Sequence, residues 1–289
     1  LVDTIWTSSF ERINRIELEK KLSRTHYILL GEIHNNADHH RLQAQFIELL
    51  VKFGRRPAIV LEMVPTTMQP KIDQFVKSGA ADAADLGRQL KWEERGWPDW
   101  ETYQPIAEVA LSAALTIQAG NIDRKVQRQI GQSGISALDA QTRNELRLDK
   151  PLEPAAEEAL AQTVIDAHCG LLPDEMIEPM TEVQRAKDAS LAKSMIQNDP
   201  ASGAVLVAGS GHVRQDWAVP RFIRMQRPNA DIVAVAFIEV DPQKTSPNDY
   251  VQAYSGLQIP YDFIYFTPRA ELKDYCAELE DQLQKKKTD

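Results

Sequence analysis

Tyr27-Ile-Leu-Leu-Gly-Glu-Ile-His-Asn-Asn-Ala-Asp-His-His40 changes character twice within a few residues, and that change decides the fold. Four apolar residues run into Gly31 and a polar stretch. From about Asp38 a helical period then begins, with Leu42, Phe46, Leu49, Leu50 and Phe53 on one stripe and Gly54 as its stop. A short apolar run followed at once by an amphipathic helix is the unit from which parallel sheets are built. The pattern recurs outward from this stretch. Ala58-Ile-Val-Leu61 is a second strand, followed by a helix around Gln69 to Lys77. Leu115 to Ala119 is a third, entered from a helix at Pro105 to Ala113. Ala204-Val-Leu-Val-Ala208 is a fourth, and Ile232 to Val240 a fifth whose continuous β-branched character fits burial on both faces. The fold class is α/β with a mainly parallel central sheet.

Two spacings exceed a simple crossover. The segment between the second and third strands holds Trp92, Trp97, Trp100 and Tyr103. Between the third and fourth strands, helices near Glu157–His168 and Glu175–Gln197 mark a helical subdomain inserted at approximately 123–200 in a single domain spanning 1–289. The polar stretch Gln132 to Pro154 is expected to be a mobile connection. Leu272, Tyr275, Cys276, Leu279 and Leu283 form the stripe of a closing helix.

Composition excludes several functions. The 289 residues carry 33 Lys and Arg against 42 Asp and Glu, a net charge of −9, which argues against recognition of nucleic acid through its phosphates. Phosphate-loop, His-Glu-x-x-His and Cys-x-x-Cys-His patterns are missing. Cys169 and Cys276 are too few for a disulfide framework or a zinc ribbon, and Cys276 on an apolar stripe is expected to pack as a small hydrophobe. The chain begins at Leu1, without initiator Met or targeting segment, and is expected to be a trimmed product.

In an open parallel sheet, ligands sit beyond the carboxyl ends of the strands. The first strand delivers Glu32, His34 and, one turn on, His39 and His40; the second delivers Glu62. The third gives Asn121, and the fourth gives Gly209-Ser-Gly-His212-Val-Arg214. Structural roles compete with functional ones. Glu32 is placed to cap the next helix or to pair with Arg41. His39 and His40 lie roughly 100° apart around a helix, so one of them is expected to face solvent. Glu62, buried without a partner, would be costly, which calls for a polar or metal partner.

At these residues the chain resembles the ChaN-like haem-binding lipoproteins. The resemblance rests on Leu30-Gly-Glu-Ile-His-Asn-Asn36 with His39-His40, Leu61-Glu-Met63 and His168-Cys-Gly-Leu-Leu-Pro173. Gln184-Arg185 with Asp188, Gly209-Ser-Gly-His-Val-Arg214 and Tyr261-Asp-Phe-Ile-Tyr-Phe-Thr-Pro-Arg269 continue it in order across nearly the whole chain. It implies a three-layer α/β/α sandwich with a helical insertion, and a non-covalent haem carrier of bacterial iron or haem acquisition. The carrier is expected to dimerise on loading and to work with a haem-uptake receptor or transport components. Its expected place is the cell envelope, lipid-anchored to the outer membrane or periplasmic. Haem needs an apolar slot, an axial ligand and partners for its propionates. Tyr103 and Tyr254 are the candidate ligands; His39, His40 and Arg214 complete the candidate haem contacts.

The family is similar to a wider group that includes Tiki/TraB-type proteins and erythromycin esterases. The resemblance to that group implies a second reading for Glu32, His34, Glu62 and His212, as a divalent-metal site or a metal-dependent or acid/base hydrolytic centre. Of the two readings, an enzyme and a binding protein, binding is the favoured one.

Overall fold

A computed structural model describes residues 1–197, 201–254, 259–270, 276, 277 and 279–281. Among them eight strands form one sheet: β1 (Ile5–Thr7), β2 (Arg12–Ile13), β3 (Tyr27–Glu32), β4 (Ala58–Pro65), β5 (Ile117–Asn121), β6 (Ala204–Gly209), β7 (Ile232–Glu239) and β8 (Phe263–Thr267). Their order is β2-β1-β8-β7-β3-β6-β4-β5. Pairings from β8 through to β5 are parallel; β1 runs antiparallel to both β2 and β8. β3 has β6 on one side and β7 on the other. The chain therefore leaves β3 toward one edge and returns past it, which opens a crevice at the carboxyl ends of β3, β6 and β4.

Alternation along the central strands sorts the core into two layers. Ile28, Leu30, Ile59 and Leu61 face α1 (Arg15–Arg24), α2 (Ala37–Lys52), α3 (Gln69–Lys77), α4 (Ala83–Gln89) and α5 (Trp100–Ser112). Tyr27, Leu29, Val60 and Leu206 face α6 (Arg124–Ser133), α9 (Asp174–Gln197) and α10 (Val219–Gln226). Strands covered on both sides bury every residue, as β3 and β6 do. The architecture is three-layered α/β/α. Asn36 starts α2, its side chain accepting from the Asp38 and His39 amides, and Gly54 at φ +78° follows its end.

The stretch between β5 and β6 also holds α7 (Ala140–Glu145) and α8 (Pro154–Ala167). α9 is the crossover helix of the sheet itself. It comes close because Gly120 has no Cβ; one there would stand 2.6 Å from Leu191 Cδ2 and 2.9 Å from Val60 Cγ1. The expected mobile connection at Gln132 to Pro154 is instead pinned by buried Leu138, Leu146, Leu148 and Leu152. Polar residues cover it, and its few leucines carry the packing.

The cysteines also differ from the expectation. Cys169 and Cys276 form a disulfide, with Cα atoms 5.5 Å apart and 107 residues of separation. Cys276 is therefore a crosslink rather than a packed thiol. Leu272, Tyr275 and Leu283 of the expected closing helix lie outside the described residues. A bridge over so long a loop removes unfolded-chain entropy worth on the order of 5 kcal/mol in the chain-entropy model. Urea melts with and without reductant should differ by about that much, with the reduced protein the less stable. A double Cys169→Ser, Cys276→Ser variant should melt like the reduced wild type.

Candidate functional site

Three strand ends and one helix build the site. β3 delivers Glu32, with His34 two residues beyond; β4 carries Glu62; β6 ends at Gly209. Beyond it a 3-10 turn, Ser210–Val213, folds back over β3. Gly31 permits that closure. A Cβ there would collide with Val213 Cγ2 and stand 2.9 Å from Ser210 Cα, so a side chain on β3 at this position would push the turn and His212 away. From the opposite layer, α9 presents Gln184 and Asp188 one turn apart on the same face.

The polar groups form a continuous series of acids and imidazoles. The Tyr103 hydroxyl donates to Glu32 Oε1 at 2.6 Å, and His34 Nδ1 meets the same oxygen at 2.9 Å. His34 Nε2 looks across to Glu62 Oε2 at 3.8 Å. That oxygen accepts from the Gly209 amide at 2.8 Å, while Glu62 Oε1 lies 3.0 Å from His212 Nε2. The other His212 nitrogen reaches Asp188 Oδ1 at 2.6 Å, with the Gln184 amide 3.0 Å away. Glu32, Glu62, Asp188 and His212 are buried, whereas the His34 side chain keeps 34% of its surface exposed. His34 is thus where a ligand can reach the series.

Electrostatics follow from this order. Burial alone would raise both glutamates, but the neighbouring imidazoles more than offset it. Glu32, beside His40 and His34, and Glu62, beside His212 and His34, are held well below the usual carboxylate range. Burial would push His212 down; Glu62 and Asp188 on its two nitrogens push it up to about 9 instead. Both nitrogens face carboxylates, so the imidazolium with two N–H donors is the form that satisfies them. Burial raises Asp188 to about 6 despite His212 beside it. His34 is raised because Glu62 and Glu32 outweigh its burial.

Glu32, His34, Glu62 and His212 therefore lie together, as the strand-end argument requires. Their geometry does not support the divalent-metal site considered for them. Among the described residues no group of three His, Cys, Asp or Glu side chains could hold an ion. The four meet one another across hydrogen bonds and ion pairs instead of aiming lone pairs at a common point.

The expectation that one of His39 and His40 faces solvent fails, because both are buried. His39 Nδ1 accepts from the Ile33 amide at 2.9 Å and Nε2 lies 2.7 Å from Thr267 Oγ1, so both nitrogens are committed. Burial draws it down to about 3, and it ties α2 to β8 as a neutral ring. His40 stacks on Tyr103 at 3.8 Å, with Nε2 3.5 Å from Glu32 Oε1. Glu32 does not pair with Arg41, which takes Asp38 at 2.8 Å.

Tyr103 is a buried partner of Glu32, and burial beside that carboxylate raises its hydroxyl far above the ordinary value. Arg214 grips Asp216 with two hydrogen bonds, at 2.7 and 3.1 Å, and lies over the rings of Trp217 and Tyr254. Tyr254 stands edge-on to Tyr261, and burial pushes it up to about 12. Asn121 donates to the Glu62 carbonyl at 3.0 Å. Asp188 and Gln184 were not among the expected site residues. Their signal was a polar pair four residues apart on the face of α9 that also carries buried Leu191 and Met195.

Beside this series opens a cleft of about 510 Å³ between the loop after the 3-10 turn Trp92–Arg95 and the end of β5. Trp97 forms one wall and touches the His34 ring edge-on, with centroids 4.9 Å apart. Met63, Met68 and Ile122 supply further apolar surface, and Lys91, Arg95, Arg124 and Lys187 supply positive charge.

Comparisons with known proteins agree with this architecture. Residues 18–223 match the family model described as haem-binding uptake, Tiki superfamily, ChaN. A solved structure of ChaN of Campylobacter jejuni, which describes cofacial haem binding, is similar with a TM-score of 0.69 at 20% identity, covering 90% of this chain and 95% of that one. The type III effector HopBA1 is similar at a TM-score of 0.50 and 11% identity, over 87% and 91% of the two chains. An erythromycin esterase mutant in its open conformation aligns at 0.48 and 12% identity, over 94% and 99%. No curated protein matches the sequence.

The raised His212 makes stability depend on pH. An imidazole near 6.5 in the unfolded chain and about 9 in the folded one contributes fully below pH 6.5 and loses its contribution as pH rises through 9. Between pH 6.5 and 9.5 the wild type should lose on the order of 2–3 kcal/mol more than His212→Asn. Parallel slopes in chemical melts across that window would contradict the charged assignment.

Proposed function

Because the chain belongs to the ChaN family of haem-binding uptake proteins in the Tiki superfamily, we propose that it binds haem reversibly and non-covalently and serves haem or iron acquisition. The family match over residues 18–223 carries this reading, since that span contains every member of the acid–imidazole series. The residues fit the ligand. Haem is an apolar plate with two carboxylates, and the cleft beside His34 offers Trp97 and thioether surface together with cationic side chains. Bound iron would take a protein ligand, and His or Tyr serves that role. Of the nominated residues, His39 has both nitrogens committed, and Tyr103 and His40 are buried beside Glu32. His34 is the imidazole of the series open to a ligand.

Titration of the apo-protein with haemin should give a saturable Soret shift. His34→Ala should change the spectrum of the complex, and Tyr254→Phe should leave it unaltered. A titration without saturation, on folded protein, would overturn the haem reading.

The cofacial haems described for the Campylobacter jejuni protein support a loaded dimer, in which a second copy covers the exposed face of the plate. Sedimentation of apo and haemin-saturated protein should show monomer passing to dimer; an unchanged monomer would remove the dimer and leave haem binding intact. The Cys169–Cys276 bridge supports an oxidising compartment, in keeping with a cell-envelope location.

One observation favours a second reading. Asp188, His212 and Glu62 form a hydrogen-bonded line that ends beside the accessible His34, an arrangement suited to acid/base hydrolysis. Hydrolysis of activated esters that disappears in Glu62→Gln while haemin binding persists would support it.

A further inference from the structure

The cleft beside Trp97 carries a charge pattern at odds with the rest of the molecule. The chain has a net charge of −9, yet four cations line this space against Glu94 and Asp123. These two acids offset two of the four charges, which leaves the space net positive. Glu94 pairs with Lys91 at 3.4 Å, and Asp123 caps α6 through the Lys125 amide while accepting from Thr67 at 3.0 Å. That leaves Arg95, Arg124 and Lys187, none of which has a carboxylate within ion-pair distance among the described residues.

The two guanidinium groups are held by neutral acceptors. Arg95 donates to the Met63 carbonyl and to Met68 Sδ, and Arg124 donates to the Arg95 carbonyl. Such bonds fix position without cancelling charge. Burial, together with Arg124 nearby, lowers Arg95 to about 10. Like charges gathered on a cleft wall are unfavourable until an anion enters, and guanidinium forks match carboxylates. Apolar surface lines the same cleft, including the broad indole of Trp97 and the thioethers beside Arg95.

We propose that Arg95, Arg124 and Lys187 form an anion seat in this cleft that recognises a flat apolar molecule through its carboxylates, and that it takes a porphyrin dicarboxylate whether or not the ring holds iron. The proposal rests on the haem reading for the identity of the plate, but the recognition it describes uses none of the iron chemistry. The seat fixes the carboxylates, the indole covers the ring, and iron ligation adds to this binding without being its precondition.

The test compares haemin, metal-free protoporphyrin IX and its dimethyl ester, read by tryptophan quenching and Soret absorbance on the full chain. Wild type should bind protoporphyrin IX saturably, with the ester at least about tenfold weaker and binding of the diacid falling as salt rises. Arg124→Gln and Lys187→Gln should each weaken the diacid about tenfold and leave the ester unchanged. Lys187 makes no described hydrogen bond, so its variant is expected to fold as wild type, which circular dichroism checks. Haemin binding without protoporphyrin binding, or variants that bind both diacids as wild type does, would overturn the seat while the haem reading stands. Protoporphyrin binding without haemin binding would overturn the haem reading and, with it, the claim that the seat takes the ring with or without iron; failure of both ligands in wild type would likewise overturn both.

Discussion

Glu62 is the constraint around which the site is arranged. Its carboxylate is buried at the end of a parallel strand, where an unpaired charge would cost several kcal/mol. Three elements answer that cost: the Gly209 amide from β6, His212 from the turn that follows, and His34 from beyond β3. Each answer makes its own demand. His212 can sit over the strand ends only if Gly31 lets the turn down onto β3, and its second nitrogen requires Asp188 from α9. A single buried acid thus couples three adjacent strands to the helical layer on the far side of the sheet.

The series also has a charge logic. Three carboxylates, Glu32, Glu62 and Asp188, alternate with two imidazoles, His34 and His212. With both rings protonated one negative charge would remain, and Asp188 is the acid whose affinity for a proton burial raises, to about 6. The network therefore concentrates its adjustable proton at the helix end while Glu32 and Glu62 stay ionised. That arrangement keeps His34 between two fixed negative charges, which orients the ring that meets Trp97.

How much of this could be read from the sequence depends on which interactions are local. Continuous apolar runs marked the five central parallel strands, because strands covered on both faces need no polar alternation. The edge strands β1 and β2 were not legible, being two or three residues long with no periodicity. β8, with the pattern Phe-Ile-Tyr-Phe-Thr, was present only as a matched motif and not as a strand. Strand ends placed Glu32, His34, Glu62 and His212 because topology puts successive carboxyl ends at one edge. Asp188 escaped that logic, since a helix residue joins the site only through the packing angle of α9. The Cys169–Cys276 bridge escaped it too: a contact across 107 residues leaves no local pattern. His39 and His40 were misjudged because helical geometry alone assumed that one face meets water, whereas α2 is covered on one side by α5 and at its start by the β8 end.

The series and the cleft are mechanically one unit, and this changes how a ligand would act on the protein. Trp97 rests its ring against His34, and Lys187 on the cleft wall adds its charge to the field felt by Glu62 and Asp188. A carboxylate drawn to Lys187 would reduce the positive field at those two acids and so favour their protonated forms, as a nearby negative charge does. A plate lying on Trp97 would at the same time restrict the ring that bridges Glu32 and Glu62. Occupancy of the cleft would then be felt at Asp188 through Lys187 and at His34 through Trp97, by two separate routes. A ligand filling the cleft would thus bias the proton on Asp188 and the placement of the His34 ring, the two points where the series meets the cleft.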